Sequence, residues 1–160
     1  MLEKQLTWQI KPFSELSTSS LYALLKLRQN VFMLEQNSLY ADIDDQDQTS
    51  QHLLVWQSEQ LIGYARVMFN KTYCIDTTQI EVNVIGRFVL APCARGQGVA
   101  KHLFKQAIGL CLANSSKKPI KISAQSNLAA YYRHFGFETT GEVYDDGGVE
   151  HIDMLLKVAS

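Results

Sequence analysis

The stretch that most constrains the fold is RFVLAPCARGQGVAKHLF, at residues 87–104. An apolar run typical of a strand ends at Pro92, and two glycines, Gly96 and Gly98, precede an amphipathic segment of helical period. The first N–H groups of a helix lack internal acceptors and lie at the positive end of its dipole, so they bind anions. Glycine leaves such a helix start open because it has no side chain. The stretch therefore predicts a strand, loop and helix that bind an anion such as a phosphate.

The spacing of the glycines excludes two common nucleotide sites. Lys101 stands where a dinucleotide-binding fingerprint has its third glycine, and no Gly-Lys-Ser/Thr ends the segment as it does in a P-loop. A Gly-x-Gly pair alone is equally consistent with a tight surface turn. The positive charge of Arg95 and the small side chain of Ala100 at the helix start favour the anion site.

The composition limits the chain to a few classes of protein. Its 160 residues, of which 46% are hydrophobic and 19% charged, fit one globular domain over residues 1–160. The net charge of -1 offers no general attraction for nucleic acid or for an anionic membrane. No apolar run reaches the roughly 20 residues of a spanning helix, and the N-terminus lacks the apolar core of a signal peptide. We therefore expect a cytoplasmic protein without nucleic-acid or membrane partners.

The cysteines do not have the spacing of a metal site. Cys74, Cys93 and Cys111 are far apart and form no CxxC pair or Cys/His cluster. Free cysteines usually behave as small buried hydrophobic residues rather than as nucleophiles. We therefore predict no metal site.

Hydrophobic periodicity predicts a mixture of strands and helices along the whole chain. Gly86, inside an apolar strand, indicates a bulge or the close approach of another backbone or a ligand. The mixture indicates an α+β (mixed α/β) fold. The predicted helices cover residues 19–36, 97–114 and 126–135, and the predicted strands cover 6–13, 52–57, 60–69, 82–91 and 120–125 and flank the turn at 145–148.

Two blocks resemble the GCN5-related N-acetyltransferases. PCARGQGVA, at residues 92–100, is similar to their Arg/Gln-x-x-Gly-x-Gly/Ala motif, in which a strand, a loop and a helix bind the pyrophosphate of acetyl-CoA. SNLAAYYRHFGF, at residues 126–137, resembles a late helix of the same superfamily, in which Tyr132 would be the tyrosine four residues before Gly-Phe.

Further blocks resemble the ElaA-like branch of that superfamily, and the similarity covers nearly the whole chain. The branch has an early R..VF..EQ, then Y..ID..D, an AQ before the late helix, and GV.HI.M near the end. Matching residues are Arg28, Val31, Phe32, Glu35 and Gln36, then Tyr40, Asp42, Ile43, Asp44, Asp45 and Asp47, then Ala124 and Gln125, and finally Gly148, Val149, His151, Ile152 and Met154.

The resemblance implies a fold and a cosubstrate. It implies a mostly antiparallel twisted sheet, splayed at the cofactor site and flanked by about four helices, with acetyl-CoA as cosubstrate and no metal. Asn127 matches a cofactor-contact asparagine of the superfamily, although its distance from Tyr132 is shorter than usual, and helix capping by Ser126 or Asn127 is the alternative. The residues expected to contact the coenzyme are Phe88, Val89 and Leu90 along the pantetheine arm, Arg95, Gly96, Gln97, Gly98, Val99 and Ala100 around the diphosphate, and Asn127 and Tyr132.

The reaction that the resemblance implies is attack by a neutral amine on the acetyl thioester. Tyr132 occupies the position of the acid that protonates the leaving thiolate. Glu35, His151 and an ordered water are candidates for the base that deprotonates the amine, and packing or capping roles remain open for the first two. The aspartates at 42–47 predict a solvated acidic loop, with attraction of a cationic acceptor as the alternative.

The predicted function is acetyl transfer to a primary amine of a small molecule or peptide. Two alternatives stay open: a non-catalytic acetyl-CoA-binding regulatory module, and an acyltransferase similar to the acyl-homoserine-lactone synthases. The intact RGQGVA at residues 95–100 favours CoA over a carrier protein as the donor. Exposed edge strands make a homodimer possible. Loops that select an acceptor carry no transferable code, so the acceptor itself is not predicted.

Overall fold

Residues 5–158 are described by a computed structural model, and seven strands within them form a single sheet. The strand order is β1-β2-β3-β4-β5-β7-β6, and all neighbours are antiparallel except β4 and β5, which are parallel. The predicted mixed class and the mostly antiparallel sheet are confirmed. The strands are β1 (Leu6–Pro12), β2 (Gln51–Gln57), β3 (Gln60–Ile75), β4 (Thr78–Leu90), β5 (Ile120–Gln125), β6 (Glu138–Asp146) and β7 (Val149–Leu156).

Within residues 5–158 there are three α-helices, so the expected number of about four is slightly wrong. They are α1 (Thr18–Arg28), α2 (Val99–Asn114) and α3 (Ala129–Arg133). The predicted helix at 19–36 changes character part of the way along, because α1 passes into a π-helical segment at Gln29–Glu35. After it, Asn37 and Asp45 have positive φ and Asp44 accepts a hydrogen bond from the Gln46 N–H, so local side-chain bonding replaces a further helix.

The core lies on both faces of the central strands. Residues 53–55 of β2 and 61–67 of β3 are buried without alternation, because helices cover the sheet on each side. From α1, Leu24 and Leu27 pack into this core, and from α2, Phe104 and Ala107 do so. The predicted turn between β2 and β3 is present, with Ser58 at φ 55.

Strand β4 is irregular close to Gly86, as predicted. Tyr64 pairs with Val89 and Arg66 pairs with Gly86, so β4 has one more residue than β3 between these two pairs. Arg87, in this extra stretch, has φ 50, which is the geometry of a β-bulge. The bulge lies in β4 ahead of residues 95–100, which we call the anion loop.

Strands β4 and β5 pair over a short distance and then separate. The ladder between them consists of Asn83 with Ile120 and Val84 with Lys121. Beyond these pairs, residues 85–90 of β4 and 122–125 of β5 leave a wedge-shaped gap in the sheet, which we call the cleft. Its presence confirms the splayed sheet that the family resemblance implied.

Three aspartates of the acidic segment after the π-helical turn are tied to three arginines rather than solvated, whereas Asp45 is exposed as expected. Asp42 and Asp47 are 7% and 5% exposed, so the expectation of a solvated loop is wrong for them. Arg28, fully buried in α1, reaches Asp42 with Nε at 2.9 Å and Asp47 with Nη1 at 2.8 Å. Burial of these charges is tolerated because each one is paired and hydrogen-bonded.

The same aspartates link the loop to strands β3 and β4. Arg66 contacts Asp44 at 2.8 Å and Asp47 at 3.0 Å. Arg87 in the bulge contacts Asp42 at 2.9 Å and Asp44 at 3.1 Å. We call these six residues, Arg28, Asp42, Asp44, Asp47, Arg66 and Arg87, the charge network.

Candidate coenzyme and acyl-transfer site

The start of α2 presents free backbone N–H groups, as the sequence predicted. Gly98 is the N-cap with φ 80, and no side chain caps the helix there. The first internal bond runs from the His102 N–H to the Gly98 oxygen at 3.3 Å, so the N–H groups of residues 99–101 have no partner within the helix. Together with the helix dipole they form an anion-binding position.

The two glycines keep that position open. Gly96 and Gly98 have φ 76 and 80, which side-chain-bearing residues adopt with strain. A Cβ added at either one would meet no protein atom within 4 Å, so both glycines border open space. This space and its donors fit the diphosphate of a coenzyme.

The loop before α2 is held by its own backbone and by one side chain. The Ala91 N–H donates to the Ile62 oxygen at 2.8 Å, and the Ala94 N–H donates to the Ala91 oxygen at 2.9 Å. The side chain of Gln97 donates to the Cys93 oxygen at 3.0 Å. These hydrogen bonds therefore restrain the backbone that carries Gly96 and Gly98.

The cleft borders the strand segment expected to bind the pantetheine arm. Val89 and Leu90 use one strand edge to pair with Tyr64 and Gly63 of β3, and their other edge faces the cleft. The Phe88 ring packs edge-on against Phe104 of α2, with centroids 5.5 Å apart. An unpaired strand edge of this kind accepts an extended ligand that carries amide groups.

The two tyrosines of α3 lie in different environments. Tyr132 is 9% exposed and packs against Phe104 at 5.2 Å between ring centroids, whereas Tyr131 is 37% exposed. Burial, with a smaller contribution from Tyr131, raises the pKa of Tyr132 to about 12. The phenol of Tyr132 is therefore protonated at neutral pH, as an acid must be.

Glu35 lies against the anion loop. Its carboxylate accepts two hydrogen bonds from the Arg95 guanidinium, at 2.5 and 2.9 Å. Hydrogen bonding from Arg95 lowers the pKa of Glu35 below its ordinary value and raises that of Arg95. A carboxylate held in this way is a weak base, because its lone pairs and its charge are already engaged.

His151 lies on β7, opposite Gln125 in the ladder between β5 and β7 and so one strand beyond the cleft. Its Nδ1 is 2.8 Å from the Val149 carbonyl oxygen, which only an N–H can satisfy. Nε2 therefore carries the free lone pair of the neutral ring. The ring stacks on Tyr144, with centroids 6.1 Å apart, so its orientation is restrained.

Asn127 is exposed in a 3-10 turn, Ser126–Leu128, just before α3. The alternative of helix capping by Ser126 or Asn127 is wrong, because α3 starts after Leu128 and has no side-chain cap. The Ser126 hydroxyl instead donates to Glu150 at 3.4 Å.

Cys111 alone among the cysteines is buried, and burial raises its thiol pKa to about 12. Cys74 and Cys93 are exposed, so the prediction of burial is wrong for them. Over the part of the chain described, no group of three or more His, Cys, Asp or Glu side chains is arranged to hold a metal ion. In that same part no helix has the length and apolar character that crossing a membrane requires.

Sequence reasoning missed two features of the site. One is the charge network, which joins Arg87 in the bulge to residues far away in the chain. The other is the contact between Gln36 and Gln125, whose amides meet at 3.3 Å. Both residues belong to the blocks that resemble the ElaA-like branch, and that was the available signal.

Comparison with known proteins agrees with this geometry. The family model for the acetyltransferase (GNAT) domain matches residues 19–158. Protein ElaA of Escherichia coli is 39% identical over 153 residues, which cover 94% of this chain and 96% of that protein. Its crystal structure superposes with a TM-score of 0.84 at 38% identity, covering 96% of this chain and 100% of that one.

Two further solved structures share the fold. An acyl-CoA N-acyltransferase from Pseudomonas aeruginosa has a TM-score of 0.84 at 34% identity, covering 94% of this chain and 99% of that one. BjaI, a CoA-dependent acyl-homoserine lactone synthase, has a TM-score of 0.77 at 12% identity, covers 97% of this chain and 84% of its own, and so shares the fold alone. The chain therefore belongs to the GCN5-related N-acetyltransferase (GNAT) superfamily of acyltransferases, and within it to the ElaA-like branch.

Proposed function

We propose that this protein transfers the acetyl group of acetyl-CoA to a primary amine of a small molecule or peptide. The observation that carries the proposal is the uncapped, glycine-opened start of α2 beside the cleft. These two features fit the two polar parts of the coenzyme. Backbone N–H groups of the anion loop, residues 95–100, bind the diphosphate, and the free edge of residues 88–90 pairs with the pantetheine amides.

The chain's own residues then act on the reacting atoms. A backbone N–H near Leu90 polarises the thioester carbonyl as its oxygen gains charge during attack. Tyr132 donates its phenolic proton to the departing thiolate as the C–S bond breaks, and the raised pKa keeps that proton available at neutral pH. The proton that the amine nitrogen loses as the amide forms restores the phenol. Asn127, exposed at the start of the α3 turn, is proposed as an additional contact to the coenzyme.

Of the two candidate bases, we propose His151 rather than Glu35. The free Nε2 lone pair of His151 is available to accept a proton from an ammonium group, directly or through water. The Glu35 carboxylate is held by Arg95, and this hydrogen bonding lowers its pKa. Proton removal through His151 leaves a neutral amine, which is the form that attacks a thioester.

Binding and turnover test the proposal separately. Acetyl-CoA at 100 times its dissociation constant is expected to stabilise the protein by about 2.7 kcal/mol, seen as a rise in melting temperature. Mass spectrometry of an amine panel, covering polyamines, amino acids and peptides with free N-termini, is expected to reveal acetylated product with release of CoA.

Each failure has its own meaning. No thermal shift at millimolar acetyl-CoA would refute coenzyme binding and with it the enzyme. Binding without product across the whole panel would favour the non-catalytic regulatory module instead. Parallel reactions with acetyl-CoA, long-chain acyl-CoA or acylated carrier protein show which of these acyl donors the protein uses.

A further inference from the structure

Two sequence blocks that the proposed chemistry leaves largely unused, Glu35-Gln36 and Ala124-Gln125, meet in space. The Gln125 side-chain amide donates to the side-chain oxygen of Gln36 at 3.3 Å. One residue earlier, Glu35 binds the Arg95 guanidinium at 2.5 and 2.9 Å. Gln36 thus touches the last residue of β5, while Glu35 touches the loop that follows β4. The two residues together span the open end of the cleft.

The Arg95 side chain is occupied by protein contacts. Besides the two bonds to Glu35, its Nη2 donates to the Leu90 carbonyl oxygen at 3.2 Å. Hydrogen bonding raises the pKa of Arg95 and lowers that of Glu35, so both groups are charged and neutralise each other. The guanidinium therefore braces the end of β4 and contributes little net charge to an anion in the loop.

The π-helical segment explains how Glu35 and Gln36 reach this position. The Gln36 N–H donates to the Val31 oxygen at 3.0 Å, a bond between residues five apart. Such a turn holds one more residue than an α-helical turn, so it changes the direction of every side chain after it. An uninterrupted α-helix through residue 36 would direct these two side chains elsewhere. Turns of this kind are frequent at functional sites.

We propose that Glu35 and Gln36 form a strap that fixes the width of the cleft and thereby positions the coenzyme for transfer. The strap is anchored at Arg95 on the β4 side and at Gln125 on the β5 side. All four are positioning residues, and the diphosphate is bound by backbone N–H groups rather than by the Arg95 side chain. This inference rests on the proposed function, since it assigns a role within the same site.

The strap makes a prediction that a phosphate-binding arginine does not. If Arg95 acts through Glu35, removal of either partner has the same consequence, because a loosened cleft must be ordered again when the coenzyme binds. If Arg95 contacts the diphosphate, its loss removes a charge from the site, whereas loss of Glu35 frees that charge for the ligand. The two roles therefore predict opposite effects of changing Glu35.

A double-mutant cycle separates these roles. We measure the dissociation constant of CoA by calorimetry at several salt concentrations for the wild type, Glu35→Gln, Arg95→Gln and the double variant. The strap predicts that each single change weakens CoA about two- to fivefold, the scale of an exposed ion pair, that the double variant is no weaker than either, and that the salt dependence is unchanged. Tighter binding by Glu35→Gln, or a flatter salt dependence for Arg95→Gln, would overturn the proposal.

The β5 anchor is tested without any coenzyme. Hydrogen exchange of the peptide at residues 120–125 is expected to be several-fold faster in Gln36→Ala than in the wild type. Gln79→Ala, at an exposed position in β4, is the matched control and leaves that exchange unchanged. Equal exchange in Gln36→Ala and the wild type would refute the strap. Because this measurement needs no ligand, it remains decisive even if CoA fails to bind, which would refute the proposed function instead.

Discussion

Tyr131 and Tyr132 are adjacent in α3, yet they differ in exposure because successive residues of a helix point about 100° apart. Tyr132 packs against the aromatic ring of Phe104, and burial raises its pKa to about 12. Tyr131 lies at the surface, 37% exposed. The proposed proton donor, Tyr132, and the surface side chain of Tyr131 therefore differ in environment although they are consecutive residues of the same type.

Tyr132→Phe tests the acid. The substitution removes one oxygen and keeps the ring packing, so we expect unchanged CoA affinity and a fall in kcat of about 10²-fold, the lower end for a lost general acid. Steady-state kinetics with acetyl-CoA and an amine from the panel measure the effect. Tyr131→Phe is the matched control and is expected to retain full activity. Equal activity of the two variants would remove Tyr132 from the mechanism.

His151→Gln tests the base. Glutamine has similar size and polarity, but it accepts no proton at neutral pH, so kcat is expected to fall about 10²-fold. Steady-state kinetics of the wild type and the variant at one pH measure this. In Glu35→Gln, kcat is expected to fall far less, since that carboxylate is held by Arg95. A loss of kcat in Glu35→Gln as large as that in His151→Gln would reverse the assignment.

At the scale of the elements, the anion site is made by a helix start and by two glycines. Gly98 serves as the N-cap of α2 at φ 80 and provides no side-chain cap, so the first N–H groups stay free. A residue such as serine at this position would satisfy one of those donors itself. The element is thus built to leave donors for a ligand at some cost to the stability of the helix.

Gly98→Ala is expected to weaken CoA binding by more than tenfold while it destabilises the fold by about 1 to 2 kcal/mol, because its φ of 80 is strained for alanine. The added Cβ would enter open space, where we propose that the diphosphate binds. Calorimetry with CoA and urea unfolding measure the two effects. Gly109→Ala, in the interior of α2, is the control, expected to stabilise the helix by about 0.5 to 1 kcal/mol without changing affinity. Unchanged affinity in Gly98→Ala would contradict the site.

The elements also show what was predictable from the sequence. The hairpin at Ser58, the irregularity at Gly86 and the loop at residues 95–100 follow from local patterns, so each was predicted where it occurs. The π-helical turn at Gln29–Glu35 was not predicted. A single turn with one extra residue hardly changes the spacing of apolar residues, so the sequence pattern still resembles that of an α-helix. The contact of Gln36 with Gln125 depends on how distant segments pack, and no local pattern encodes it.

At the scale of the whole molecule, the charge network connects α1, the following loop, β3 and β4. The Arg28 side chain is 0% exposed, and its charge is balanced by the two aspartates that it binds. The network holds the loop that precedes β2 against the bulge at Arg87. It therefore ties α1 and that loop to β3 and β4.

Arg28→Met is expected to destabilise the protein by about 3 to 5 kcal/mol, because the buried carboxylates of Asp42 and Asp47 each lose one of their two arginine partners and a negative charge is left uncompensated. Urea unfolding followed by circular dichroism measures the free energy of unfolding. Lys26→Met, an exposed position in the same helix, is the control and is expected to change that free energy by less than about 0.5 kcal/mol. A similar small change in Arg28→Met would show that the network contributes little to stability.

The same network predicts how stability depends on pH. Burial alone would raise the pKa of Asp44, but hydrogen bonds and positive charge from Arg66, with a further contribution from Arg87, lower it to about 2. The unfolded chain has an aspartate pKa of about 3.9, so the stabilising effect is fully present above that value and is lost as the pH falls towards about 2. We expect a loss of about 2 kcal/mol from this group, measured by urea unfolding between pH 5 and 2. Asp44→Asn is expected to be less stable than the wild type at pH 5 and to approach it as the pH falls to 2, since most of the stabilising effect of the carboxylate has then been lost. A constant difference between the two proteins over this range would show that Asp44 is not the group that titrates.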